Sequence, residues 1–140
     1  GSTGAGKSYI ASAIGHQACS LGYKVMYFNT NKLFTMLKTS KADGSYLKQI
    51  NKLEKQDLLI IDDFGLKALD AINRHSFMEI IEDRHGEHSI IIASQLPVEA
   101  WHEIIGEQTI ADAILDRLVH NAHRIDIKGE SMRKKMKNKY

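Results

Sequence analysis

The chain is poor in cysteine and has no long run of apolar residues. Its 140 residues include one cysteine, Cys19, so no disulfide can form within the chain. This fits the reducing conditions of the cytoplasm, and we interpret Cys19 as a small buried helix residue. No apolar stretch reaches the roughly 18 residues that a membrane-spanning helix requires, so we expect a cytoplasmic protein that does not contact a membrane.

The sequence also lacks internal repeats, and its last eight positions lack acidic residues. Five of the 19 basic residues lie at 133–140, which leaves 14 basic against 17 acidic residues in the rest of the chain. A second basic zone at 32–55 holds six lysines and two acids. Local basic zones on a slightly acidic body favour contact with a polyanion, although a solvated surface with a frayed tail gives the same pattern.

The order of helix and strand patterns predicts an α/β fold with a parallel sheet in one domain. Helical spacing of apolar residues predicts helices at 7–21, 31–37, 46–55, 70–85, 97–105 and 109–122. β-forming residues predict strands at 23–29, 57–63, 89–95 and 124–128, and the polar stretch 39–45 predicts a loop. The runs at 57–63 and 89–95 have continuous apolar centres and polar carboxyl ends, and such centres are typical of strands that are covered on both faces.

The helix patterns also predict caps and inward-facing residues. Asp70 is expected to cap the fourth helix, and Thr109 with Asp112 resembles an imperfect capping box for the last one. The apolar residues expected to face the core include Ile14, Leu21, Leu47, Ile72 and Trp101.

The first eight residues, GSTGAGKS, match the phosphate-binding pattern Gly-x-x-x-x-Gly-Lys-Ser/Thr. Glycines allow backbone N–H groups to surround a phosphate, and the following helix directs its positive end at the same group. Lys7 is expected to reach the β- and γ-phosphates of ATP, and the Ser8 hydroxyl to ligate Mg²⁺. The predicted nucleotide-binding residues here are Gly1, Ser2, Thr3, Gly4, Ala5, Gly6, Lys7, Ser8 and Tyr9.

A buried strand normally precedes a loop of this kind. The loop stands at residue 1, so we expect that this strand is missing from the chain. On this interpretation the chain is the core of a longer protein whose N-terminal portion determines partner specificity.

The run Leu58-Leu59-Ile60-Ile61-Asp62-Asp63 supplies a second element of an ATP site. Its apolar residues bury a strand, so both acids emerge at the carboxyl end, where ligands bind in open α/β sheets. Asp62 is expected to hold Mg²⁺ together with Ser8, and Asp63 to orient or deprotonate the attacking water. The strand at 89–95 has a polar end as well, where Gln95 or Ser94 could reach the γ-phosphate or the water.

These elements, in this order, resemble an AAA+ ATPase with the three-layer core of a P-loop NTPase. More narrowly, the chain resembles the IstB-like transposition helper ATPases of insertion sequences, which are related to the helicase loader DnaC and the initiator DnaA. The resemblance rests on GSTGAGKS, LLIIDDFG, IIIASQLP followed by Trp101, ADAILDRLVHNAHRI and the ending GESMR. We assign residues 1–132 to the ATPase core and residues 133–140 to a basic tail.

The resemblance implies roles for two arginines. Arg117 matches the arginine finger, which would contact the γ-phosphate bound by a neighbouring subunit, and Arg133 matches the sensor II arginine that contacts nucleotide phosphates. Two positions depart from the family pattern. Gln95 stands where asparagine is common, and Asp63 stands where many AAA+ proteins have glutamate, so we expect slow hydrolysis.

By this resemblance we expect the protein to bind ATP and Mg²⁺, to assemble into a ring or helical oligomer on duplex DNA and to assist a transposase. The DNA contacts are expected to be independent of sequence and to come from Lys32, Lys38, Lys41, Lys48 and Lys52. A DnaC-like helicase loader that binds single-stranded DNA is the nearest alternative. A small-molecule kinase and a scaffold that binds ATP without cleaving it are two further classes, and ATP turnover with and without duplex DNA separates them.

Overall fold

The computed structural model describes residues 4–120 of the chain, and they form alternating helices and strands. The strands are β1 (Val25–Asn29), β2 (Leu58–Phe64) and β3 (Ser89–Ser94). The helices are α1 (Gly4–Ser20), α2 (Thr30–Asp43), α3 (Tyr46–Glu54), α4 (Ala71–Arg84), α5 (Trp101–Ile105), which a 3₁₀ turn (Val98–Ala100) precedes, and α6 (Gln108–His120). None of these helices is both long and apolar enough to cross a membrane.

The three strands are parallel, and β2 lies between β1 and β3. Leu58 to Asp62 of β2 are all buried, which explains why this run is apolar at consecutive positions. Because the strands are parallel, their carboxyl ends meet at one edge of the sheet. The α/β class with a parallel sheet is therefore confirmed.

Each face of the sheet has its own apolar layer. Leu58 and Ile60 of β2 pack with Ala11 of α1 on one face, whereas Leu59 and Ile61 point to the larger core on the other face. That larger core includes residues of α2 to α6, among them Leu33, Leu37, Phe77, Ile80, Trp101, Ile105 and Ile114. Helices on both faces of one sheet make the three-layer arrangement that the sequence predicted.

Helix α1 lies close to the sheet because its inner face consists of small residues. Ala11 is 2% exposed, and a Cβ atom added to Gly15 would lie 2.9 Å from Cδ1 of Ile60. The expectation that Cys19 is buried was wrong, because this residue lies in the last turn of α1 and is exposed. Ile14 and Leu21 were also expected to face the core, but they are 41% and 66% exposed.

The predicted loop at 39–45 was wrong, because α2 continues to Asp43. Ser40 remains helical and donates its hydroxyl hydrogen to the carbonyl of Leu37 at 2.7 Å. The helix ends only where Gly44 adopts a left-handed conformation, with φ at 84°, which favours glycine. Two apolar residues predicted on inner faces, Leu47 of α3 and Ile72 of α4, are exposed instead.

Asp70 caps α4 as predicted, because its carboxylate accepts a hydrogen bond from the backbone N–H of Asn73 at 2.8 Å. The capping box expected at Thr109 and Asp112 was wrong. Glu107 takes that role, since its carboxylate accepts bonds from the backbone N–H groups of Thr109 and Ile110. The buried position of Trp101, which is 7% exposed, is confirmed. The strand predicted at 124–128 and the tail at 133–140 lie outside the described residues.

Candidate nucleotide-binding site

The alternation of side chains along β2 directs Asp62 toward helix α1. Leu58 and Ile60 pack against α1, so Asp62, two residues further on, lies on the same face. There the Ser8 hydroxyl, in the second turn of α1, donates a hydrogen bond to Oδ2 of Asp62 at 2.7 Å. The two oxygen groups assigned to Mg²⁺ by the sequence are therefore adjacent, although 54 positions separate them in the chain.

The Asp62 carboxylate is buried, with 7% of the residue exposed, and several donors hold it. Its Oδ2 also accepts a hydrogen bond from the Tyr27 hydroxyl, and its Oδ1 accepts one from the backbone N–H of Asp63 at 2.8 Å. The Thr30 hydroxyl binds the backbone carbonyl of Asp62 at 2.6 Å. The bonds to the carboxylate replace the hydrogen bonds to water that it loses on burial.

A bulge in β2 gives Asp62 and Asp63 different orientations. The register between β2 and β3 shifts between Ile61 and Phe64, and Asp63 has a left-handed backbone with φ at 57°. The extra residue allows Phe64 to join the same core as Ile61. Left-handed backbone is costly for most residues but tolerated by aspartate, and such strain is concentrated at functional sites.

Asn29, at the end of β1, connects Asp63 to the start of α2. Its side-chain NH₂ donates to Oδ2 of Asp63 at 3.0 Å, while its oxygen accepts from the backbone N–H groups of Asn31 and Lys32. One side chain thus caps a helix and orients the acid that the sequence assigned to water activation. Asp63 itself is half-buried, so its carboxylate borders solvent.

Lys7 reaches the carboxyl end of β3. Its ammonium group donates to the backbone carbonyl of Ser94 at 2.6 Å, so the position of Lys7 after the phosphate loop brings this charge to the strand ends. The Ser94 hydroxyl is buried and donates to the carbonyl of Phe64 at 2.5 Å. This hydrogen bond connects β3 to β2, so the hydroxyl hydrogen is already in use. Gln95 follows directly and is exposed.

Tyr27 reaches the same cluster from β1, and its environment keeps the phenol protonated. Burial, followed by the hydrogen bond and the negative charge of Asp62, raises the pKa of Tyr27 to about 12. The hydroxyls of Ser8 and Ser12 oppose this shift. At neutral pH, the hydroxyl is therefore a hydrogen-bond donor to Asp62.

Arg117 lies on α6 and is not joined to the cluster of Lys7, Ser8 and Asp62. Its guanidinium donates to the carbonyl of Ala113 at 3.0 Å and forms an ion pair with Glu82 of α4 at 3.3 Å. Gly1, Ser2, Thr3 and Arg133 were also predicted to bind nucleotide, and they lie outside the described residues. Gly4, Ala5 and Gly6 open α1, and Tyr9 beside them is 69% exposed.

The five lysines predicted to contact DNA are all exposed and lie on α2 and α3. Lys38 forms an ion pair with Asp70, and Lys41 lies 4.6 Å from the ring centre of Tyr46. Lys48 and Lys52 are one turn apart on α3. Lys32 lies roughly 180° around α2 from Lys41, so the structure does not place it on the same side of that helix.

Sequence reasoning missed Tyr27, Asn29 and Thr30. A signal was available for Asn29 and Thr30, because polar residues at the end of a predicted strand resemble the polar end that drew attention to Ser94. Among residues 4–120, no group of three or more histidine, cysteine, aspartate or glutamate side chains could hold a metal ion. The Mg²⁺ site predicted here depends instead on one carboxylate and one hydroxyl, the hard oxygen ligands that Mg²⁺ prefers.

Comparisons with known proteins find a matching family and several relatives. The family described as IstB-like ATP binding protein matches residues 1–140. An insertion sequence ATP-binding protein of Sinorhizobium fredii is 52% identical over 139 residues, which are 99% of this chain and 57% of that protein. The chain thus spans little more than half the length of this relative.

Solved structures share the fold at low sequence identity. AMPPCP-bound DnaA from Aquifex aeolicus has a TM-score of 0.75 and 21% identity, and covers 99% of this chain and 42% of its own. The DnaC helicase loader has a TM-score of 0.68 and 22% identity, and covers 83% of this chain and 71% of its own. At these identities the likeness shows the AAA+ fold alone.

Proposed function

The chain belongs to the IstB-like ATP-binding protein family, and from that premise we propose that it is an ATPase that assembles on DNA and assists a transposase. The contact between Ser8 and Asp62 at 2.7 Å carries the ATPase part of the proposal, and the names of the relatives, which are insertion sequence ATP-binding proteins, support the part that concerns DNA and a transposase. This contact joins the phosphate loop to the acidic end of β2, and an ATP site requires both.

The residues at the strand ends suit Mg²⁺ as well as ATP. The Ser8 proton points to Asp62, which leaves the lone pairs of the Ser8 oxygen available to a cation. Asp62 supplies negative charge that is already oriented by hydrogen bonds. When bound, Mg²⁺ would neutralise charge on the β- and γ-phosphates, with Ser8 and Asp62 as its protein partners.

Lys7 and Asp63 would supply the other two functions that hydrolysis requires, phosphate binding and activation of water. The Lys7 ammonium would move from the Ser94 carbonyl to the phosphates, where it binds developing negative charge. Asp63, oriented by Asn29, would accept a proton from the water that attacks the γ-phosphorus. Gln95 is exposed beside this region and is the first candidate to contact the γ-phosphate or the water, with Ser94 second because its hydroxyl is already committed.

We propose that the active form is an oligomer. The contacts of Arg117 are with Ala113 and Glu82 and not with Lys7, Ser8 or Asp62 of its own chain, so a role as a finger would concern the nucleotide of a neighbouring subunit. Arg133 would contact phosphates in its own or an adjacent subunit. The exposed lysines of α2 and α3 would then face the DNA backbone, where binding depends on charge and not on base sequence.

The proposal is tested by the mass of the assembly formed by the full chain with ATP and duplex DNA, compared with either ligand alone. We expect a large assembly only when both are present, and we expect the Arg117→Ala variant to bind ATP but to hydrolyse it poorly. A protein that stays monomeric with both ligands contradicts the proposal. A preference for single-stranded DNA together with binding to a hexameric helicase would favour the loader alternative.

A further inference from the structure

We propose that Tyr27 is a positioning residue of the Mg²⁺ site, whose hydroxyl holds the Asp62 carboxylate in the orientation that the metal requires. Tyr27 comes from β1, outside both the phosphate loop and the acidic end of β2. The inference rests on the proposed ATPase function, because it assigns a residue to the metal site of that reaction.

The position of Tyr27 follows from the register of β1. Tyr27 pairs with Ile60, and Asn29 pairs with Asp62. Tyr27 therefore lies on the neighbouring strand, two residues before the position that pairs with the acid. Val25 packs on the α1 side of the sheet, so Tyr27, two residues later, faces the same side. The phenol is long enough to reach the Asp62 carboxylate, which it contacts through a hydrogen bond.

The contact of its hydroxyl with Asp62, and not its exposure, distinguishes Tyr27 from Tyr23, which is exposed as well. Tyr27 is 45% exposed, whereas the residues that pack the core around β2 are almost completely buried. Tyr27 instead leaves much of its surface in solvent and directs its polar end into a buried acid.

Tyr27 and Ser8 complement each other on one carboxylate oxygen. Both donate to Oδ2 of Asp62, while Oδ1 accepts the backbone N–H of Asp63. Ser8 is itself an assigned ligand of the metal, so Tyr27 is the side-chain donor to Asp62 whose oxygen has no such task. Partners that hold a metal-binding carboxylate typically change metal affinity by about 10- to 100-fold when they are removed.

The test is the Tyr27→Phe variant in the full chain, with Tyr23→Phe as a matched control. Tyr23 is 56% exposed and lies before β1, so its substitution removes the same hydroxyl from a site remote from Asp62. We measure the binding of a fluorescent ATP analogue while Mg²⁺ is titrated, and again in EDTA. We expect Tyr27→Phe to raise the Mg²⁺ concentration for half-maximal binding by about 10-fold or more. We expect its affinity in EDTA and both values of Tyr23→Phe to match the unmodified chain.

The Asp62→Asn variant separates the failure of this inference from the failure of the proposed function. If Asp62→Asn loses the Mg²⁺ dependence but Tyr27→Phe has the same half-maximal Mg²⁺ concentration as the unmodified chain, or a lower one, the positioning role is wrong and the ATP site stands. If Tyr27→Phe binds more weakly in EDTA as well, the residue is structural and the inference is also overturned. If the unmodified chain shows no Mg²⁺-dependent nucleotide binding, the proposed function fails and the inference fails with it.

Discussion

The two polar regions of this chain are built in opposite ways. At the strand ends, Asp62 is 7% exposed and accepts hydrogen bonds from Ser8, Tyr27 and the backbone of Asp63. The lysine surface, which we define as Lys38, Lys41, Lys48 and Lys52, consists of exposed side chains on α2 and α3. Of these, Lys38 pairs with a half-exposed aspartate, and Lys41 lies over an aromatic ring.

The difference shows what each region can recognise. A carboxylate held by several donors has one orientation, which suits a small cation and a nucleotide that require fixed geometry. Solvated lysines on long flexible stems supply charge without fixed geometry, which suits a phosphate backbone read independently of sequence. Substitutions at the strand ends should therefore have large and specific effects, and single substitutions on the lysine surface should have small ones.

Among variants that keep both residues assigned to Mg²⁺, Ser8 and Asp62, the largest effect is expected for Asp63→Asn. The asparagine keeps the shape of the side chain and tolerates the left-handed backbone, but it cannot accept a proton from water. We expect ATP turnover to fall by about 100- to 10,000-fold while ATP binding is retained. Steady-state turnover and a binding titration on the same preparation check this, and turnover close to that of the unmodified chain would remove Asp63 from the chemistry.

The Asp63→Glu variant tests whether the length of the acidic side chain limits ATP turnover. If the shorter acid is the cause of slow hydrolysis, glutamate should raise turnover by bringing the carboxylate nearer to the water. The left-handed backbone at this position opposes the gain, since glutamate adopts it less readily than aspartate. A low turnover in the unmodified chain that does not rise in Asp63→Glu would count against the explanation by side-chain length.

Lys7→Ala should have the next largest effect. Its ammonium already lies at the end of β3, and the removal of its charged hydrogen bonds to phosphate should weaken ATP binding by about 10- to 100-fold. Lys24→Ala is the matched control, because Lys24 is exposed immediately before β1, away from the carboxyl ends of the strands. Equal ATP affinities for the two variants would show that the first residues do not form a phosphate loop.

A smaller effect per residue is expected on the lysine surface. Replacing its four lysines together with glutamine should weaken DNA binding and lower the slope of log affinity against log salt by about 0.9 for each DNA phosphate that a lysine no longer neutralises. ATP binding should stay unchanged, because these lysines lie on α2 and α3, away from Lys7, Ser8 and Asp62. An unchanged salt slope would mean that the protein binds DNA elsewhere, as through the basic residues at 133–140.

The smallest effect is expected for Lys38→Ala. Both partners of its ion pair are largely solvated, with 42% of the Lys38 side chain and 52% of the Asp70 side chain exposed, so unfolding free energy should change by less than about 1 kcal/mol. Asp70→Ala should cost about 1 kcal/mol more, because Asp70 also caps α4. Chemical denaturation measures both, and equal costs would mean that the cap contributes nothing.

The features of the site that could be predicted from the sequence are those that depend on residues close together in the chain. Gly6, Lys7 and Ser8 form a contiguous pattern, and Asp62 ends an apolar run, so the placement of both at one edge follows from a parallel sheet. Asn29 could have been noticed as the polar end of its predicted strand, whereas the contact of Tyr27 depends on the register between β1 and β2, which no local pattern states.

Burial was harder to predict than secondary structure for a similar reason. Ile72 and Leu47 have the apolar character of core residues, but the packing of α3 and α4 leaves them exposed. Helical spacing indicates which residues share a face, and it does not indicate how much of that face a neighbouring element covers. The bulge at Asp63 was also not foreseen, because it is set by pairing with β3.

The most direct test of the Ser8–Asp62 site is ATP turnover by the full chain with Mg²⁺, measured with and without duplex DNA and beside the Asp62→Asn variant. The account predicts slow turnover that requires Mg²⁺, rises with duplex DNA and is abolished in Asp62→Asn. Nucleotide binding without turnover under any of these conditions, or turnover that is the same in Asp62→Asn, would contradict it.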